Sequence, residues 1–93
     1  MISYKDYLRH VTMHVESEPG NDVYIAGSFN SWNQNTMKLS DPHGDGHFYT
    51  TLLLPRGNYE YKFVINGVWQ TGDESDQSVQ NNFGSYNNFL EVE

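Results

Sequence analysis

The chain contains no cysteine, so neither a disulfide framework nor cysteine-ligated zinc is open to it. Basic residues are scarce: Lys5, Arg9, Lys38, Arg56 and Lys62 are scattered against twelve acids, for a net charge of −7. Nucleic acid and anionic membranes are bound by clustered Lys and Arg that displace counterions, so the reading excludes both as partners. Long apolar runs are missing too. The longest purely aliphatic one is Leu52–Leu54, where a membrane-spanning helix needs about 20 apolar residues. The opening MISYKDYLRH is too polar for a signal peptide, which gives the expectation of a cytoplasmic protein. No window carries a helical stripe, and YKDYLR would make one turn at most.

Aromatic side chains, by contrast, are plentiful, at 15% of 93 residues, while charged ones reach only 18%, below the roughly 25% of ordinary domains. A chain of this size makes one compact domain. We read 1–93 as a single module, with 1–10 as a loosely packed N-terminal extension. So lightly charged a surface suits a neutral partner.

Strand signals run through the chain. In RHVTMHV, Val11, Met13 and Val15 alternate with His10, Thr12 and His14; in HFYTTLLL, Phe48, Thr50, Leu52 and Leu54 alternate with Tyr49, Thr51 and Leu53. That period of two marks strands with one wet face. DVYIAG, YEYKFVI, VWQT and NFLEVE are further strands, and DESDQSVQNN at 73–82 reads as a polar loop. The expected fold is all-β, an immunoglobulin-like sandwich of short antiparallel strands.

Asn66-Gly67 is a strong hairpin signal, because a type I′ turn needs positive φ at both central residues. A two-residue turn pairs Ile65 with Val68 and Val64 with Trp69. One face then holds Tyr59, Tyr61, Phe63, Ile65 and Val68, and reads as core. The other holds Glu60, Lys62, Val64, Trp69 and Thr71, and reads as solvent. Trp69 thus falls on the wet side with Lys62. Trp32 lies in GSFNSWN, a run of turn-forming residues that cannot easily bury it. A lone tryptophan of this kind reads as packed under loops. Two, from separate segments, read as a binding surface: exposed indoles stack on the C–H faces of sugar rings while nearby polar groups bond the hydroxyls.

VYIAGSFNSWN, LPRGNYEYKFVINGVWQ and NFGSYNNFLEV, in that order over about residues 11–93, resemble a family 48 carbohydrate-binding module. Within that family the elements are similar to the glycogen-binding domains of AMP-activated protein kinase beta subunits. The resemblance implies a stacking platform of Trp32 and Trp69, and a lysine, Lys62, that bonds sugar hydroxyls. It also implies a late loop in which Phe83 packs on the glucan, Ser85 supplies a hydroxyl and Asn87 an amide. Phe83 and Ser85 stand where the kinase domains carry leucine and threonine. The function expected is non-catalytic binding of α-1,4-linked glucan, with no cofactor, and a separate glycogen-metabolising enzyme or kinase chain as protein partner. A sandwich used for protein–protein contact, without sugar, stays open as the alternative.

Other constellations carry less. A glycosidase needs two carboxylates across a bond, one with a raised pKa; Asp73, Glu74 and Asp76 are the candidates, and read as a solvated charge run. DPHGDGH at 41–47 offers Asp41, His43, Asp45 and His47, yet lacks the order of a calcium loop and reads as a turn. His10 and His14 share a strand face about 13 Å apart, too far for one metal ion. No catalytic or metal-ligating residue is expected.

Overall fold

The computed structural model describes residues 8–70, 78–80 and 86–93. Within these described residues seven strands follow in order: β1 (Leu8–Glu16), β2 (Val23–Gly27), β3 (His47–Pro55), β4 (Gly57–Ile65), β5 (Val68–Trp69), β6 (Ser78–Gln80) and β7 (Tyr86–Val92). A 3-10 turn, Ser28–Asn30, follows β2. β1 pairs antiparallel with β3 as a two-stranded sheet, and β2-β4-β7-β6 form the second, with β5 also on β4. The fold is the all-β, immunoglobulin-like sandwich expected from the alternation. The strand β1 starts at Leu8, so Leu8–His10 of the expected N-terminal extension are paired strand.

Both sheets feed one core. Met13, Phe48, Leu52 and Leu54 come from the small sheet, and Val23, Ile25 and Val92 from the large one. Their alternate neighbours His10, Thr12, His14, Tyr49, Thr51 and Leu53 are exposed, as the period of two requires. Leu39, 1% exposed, completes the core from outside the strands. It is held there by backbone: Leu39 N donates to Val23 O (2.8 Å) and Ile25 N to Met37 O (3.0 Å), so residues 37–39 run along the otherwise open edge of β2.

The hairpin pairs Ile65 with Val68 and Val64 with Trp69, as its Asn-Gly turn dictates. Asn66 and Gly67 take φ of 50° and 80°. The face assignment needs two corrections. Val68, read as core, is 62% exposed, because it opens a two-residue strand at the hairpin tip. Val64, read as solvent-facing, is 2% exposed. Its same-face neighbours are Tyr24 on β2 and Trp69 on β5, one on each side, and these large rings flank it. Within the expected polar loop, Ser78–Gln80 are strand, bonded to β7. Ser78, Val79 and Gln80 are too few to show an alternation, and their pairing with β7 is made by main chain.

Residues 41–47 do form a turn. The Asp41 carboxylate accepts from Asp45 N (3.2 Å) and Gly46 N (2.9 Å), and Asp45 Oδ1 accepts from His47 N (3.2 Å). These acids serve the backbone as turn-formers. Among the described residues no helix is long and apolar enough to cross a membrane.

Candidate functional site

The outward face of the large sheet collects the residues of interest. Paired residues share a face, so Tyr24 sits beside Val64, Ala26 beside Lys62, and Phe89 beside Glu60. Along β4 this face reads Glu60, Lys62, Val64, with Trp69 next to Val64. Val64 and Ala26 are buried, giving the face an apolar floor. Lys62 and Glu60 are half-buried.

Trp32 reaches the same place by a strained route. After Gly27 the chain makes the 3-10 turn and then sets both Ser31 (φ 56°) and Trp32 (φ 59°) in the left-handed region. Each such residue costs on the order of 1 kcal/mol. Asn30 offsets this from the centre of the loop. Its Oδ1 accepts from Gly27 N (3.0 Å), and its Nδ2 donates to Ile25 O and Asn33 O (both 3.2 Å). Main-chain bonds from Trp32 N to Gly27 O (2.9 Å) and Asn33 N to Asn30 O (3.1 Å) close the turn. Gly27 is required by contact rather than by φ: a Cβ there would lie 2.5 Å from Glu60 O and 2.8 Å from the Phe29 ring.

The two indoles meet. Their ring centroids are 6.5 Å apart with 40° between planes, a tilted pair rather than a stack. Trp32 is 37% and Trp69 39% exposed, so each ring packs in part and leaves a substantial face open. Thirty-six residues separate them in the chain, and the fold brings them to one surface.

Of the six residues singled out in the sequence, four lie among the described residues. Trp32, Lys62 and Trp69 share this surface. Asn87, on β7, is half-buried and its Nδ2 donates to Glu60 Oε1 at 3.1 Å. Phe83 and Ser85 lie outside the described residues, as do Asp73, Glu74 and Asp76 of the acidic run and Thr71. Glu60 and Asn30 were given no role in the sequence reading. Alternation within YEYKF already put Glu60 beside Lys62; its bond to Asn87 depends on the β4–β7 pairing, which no local pattern announces. Nothing in GSFNSWN distinguishes the buttressing Asn30 from Asn33.

Over residues 11–93 the chain matches the family described as the glycogen recognition site of AMP-activated protein kinase. It is similar to 5'-AMP-activated protein kinase subunit beta-1 of Sus scrofa, 38% identical over 73 residues, covering 78% of this chain and 56% of the relative. The human beta-1 subunit is 38% identical over the same share of this chain, and 25% of its own length. The beta-2 subunit of Mus musculus is 40% identical over 76 residues, 82% of this chain and 27% of the relative. The chain therefore spans between about a quarter and just over half of these relatives. With a match covering nearly its whole length, this chain belongs to the glycogen recognition site family of AMP-activated protein kinase.

Proposed function

We propose that this chain binds α-1,4-linked glucan, glycogen or a starch-like oligosaccharide, on the Trp32–Trp69 surface without transforming it. The observation that carries the reading is the convergence of two partly exposed indoles from distant segments on the face that bears Lys62. Indole faces supply flat apolar area for the C–H side of glucose rings, and a tilt between them suits a curved chain better than a flat one. The Lys62 ammonium donates to hydroxyls, and the Asn87 amide takes part from β7. Phe83 and Ser85 are assigned to the same ligand by family resemblance. The ligand is neutral, so affinity should be nearly independent of salt. We assign binding rather than catalysis because a glycosidase needs two carboxylates set across the scissile bond, and the acidic run at 73–76 reads in the sequence as a solvated charge run. We assign the chain a cytoplasmic setting, and, because its relatives are named as kinase subunits, a kinase complex as protein partner.

The test is a titration with maltoheptaose and β-cyclodextrin, followed by tryptophan fluorescence, with cellohexaose as control. Saturation by the α-glucans alone is expected. Trp69→Ala should weaken binding at least ~30-fold, the scale of a central aromatic anchor, while staying folded by circular dichroism. Equal response to cellohexaose, or unchanged affinity in folded Trp69→Ala, would refute the assignment and favour a protein ligand.

A further inference from the structure

A row of paired residues crosses the large sheet from the tryptophan platform to the far edge of the same face. Trp69 pairs with Val64, Val64 with Tyr24, and Tyr24 forms an isolated antiparallel bridge with Lys38. Directly paired residues share a face, so all four stand on the face that carries Trp69. The bridge is a narrow pair. Ile25 N donates to Met37 O (3.0 Å) and Leu39 N to Val23 O (2.8 Å), one bond on each side of it, which sets the Tyr24 and Lys38 Cα atoms about 4.5 Å apart. Leu39 is buried and Met37 packs against the core, so Lys38 between them faces outward. Lys38 Nζ lies 3.4 Å from Asp22 Oδ1, with side chains 57% and 68% exposed. An ammonium carries three donors, so pairing with Asp22 leaves others for a ligand. Val64 is buried and offers a ligand almost no surface. The half-buried Tyr24 ring is the next aromatic along the row, two strand spacings or about 10 Å from Trp69.

We propose that Tyr24 and Lys38 form a second, outlying glucan subsite, which takes a sugar ring beyond those on Trp32 and Trp69. The inference rests on the glucan-binding reading above. Tyr24 supplies an aromatic ring for the C–H side of a sugar, and Lys38 beside it donates to the hydroxyls. A ring about 10 Å from Trp69 is out of reach of the sugar stacked there, so only a longer chain fills both places. Short glucans bind at the indoles alone. Long ones gain the second contact from the same molecule, at a high effective concentration. The ligand class selected is an α-glucan long enough to cross from β5 over Val64 to β2, and the subsite sets a preference for chain length.

The experiment measures maltose and maltoheptaose affinities by nuclear magnetic resonance titration for wild type, Tyr24→Ala, Tyr24→Phe, Lys38→Ala and Trp69→Ala, each checked for folding by thermal melt. Maltose covers the two indoles at most. Tyr24→Ala and Lys38→Ala should each bind maltoheptaose about five-fold more weakly, the scale of one net contact, with maltose affinity unchanged. Tyr24→Phe keeps the ring and should bind maltoheptaose more tightly than Tyr24→Ala. Lys38 is exposed, so its variant leaves the core intact and decides the matter if Tyr24→Ala does not fold. In wild type, the Tyr24 ring-proton resonances should move on saturation with maltoheptaose and stay in place with maltose. Wild-type maltoheptaose affinity in Lys38→Ala or in folded Tyr24→Ala, with binding lost in Trp69→Ala, would overturn the proposal and leave the indole surface standing. Equal losses for maltose and maltoheptaose would overturn it too, by showing that the pair acts only through packing of the platform. Unchanged binding in Trp69→Ala would instead remove the surface, and this inference with it.

Discussion

Asn30 is the residue on which the Trp32 loop depends, and its removal is the sharpest test of how that loop is held. Three hydrogen bonds leave its side chain, to Gly27 N at 3.0 Å and to Ile25 O and Asn33 O at 3.2 Å each. At about 1 kcal/mol net per bond the upper limit is about 3 kcal/mol. The bond to Asn33 is exposed, so water replaces it in the variant, and Asn30→Ala should cost about 2 kcal/mol. A domain of this size has about 5–14 kcal/mol in total, and the melting temperature should fall by roughly 8–16 °C. Asn30→Asp sharpens the argument because it keeps the shape. Its carboxylate still accepts from Gly27 N but sets an acceptor against two carbonyl oxygens. It should be at least as unstable as Asn30→Ala at neutral pH. Urea unfolding followed by far-ultraviolet circular dichroism measures both without relying on the neighbouring indole. Loss of less than about 0.5 kcal/mol in Asn30→Ala, or wild-type stability in Asn30→Asp, would show that the left-handed Ser31–Trp32 pair is held by something else.

Gly27→Ala should cost about 1–3 kcal/mol by overpacking, since the new methyl meets Glu60 O at 2.5 Å and cannot move without disturbing the β2–β4 ladder. Gly67→Ala meets nothing within 4 Å, and should lose only about 1 kcal/mol through its φ of 80°; denaturation that ranks the two in the opposite order would contradict the contact argument. Burial raises the Tyr61 phenol above its ordinary 10.0. The unfolded chain therefore releases that proton first, so the contribution is complete below about pH 10 and lost as pH rises further. Tyr61→Phe should melt with a shallower fall between about pH 9 and 11 than wild type, and parallel slopes would refute the assignment.

The alternations in β1 and β3 were legible because they are local: Val11, Met13, Phe48 and Leu52 each face inward by counting in twos. The Asn66-Gly67 turn was equally local, and its geometry alone put Trp69 beside Val64, on the face of Lys62. Leu39 was not legible. It enters the core because residues 37–39 lie along β2, a contact made by main-chain bonds that any side chain permits.

Sequence by itself thus determined which side of each strand a residue faces, where the hairpin turns, and that Trp32 lies in a segment poor in means to bury it. Only tertiary structure decided what those sides meet. Val64 belongs to the polar-looking face and is nevertheless buried, because the residues flanking it come from β2 and β5. Trp32 and Trp69 stand 6.5 Å apart because the loop after β2 and the strand after the hairpin end on one surface. Asn87 reaches Glu60 through the register of β7 on β4. Periodicity records how a strand alternates, and it carries no information about which strand lies next to it.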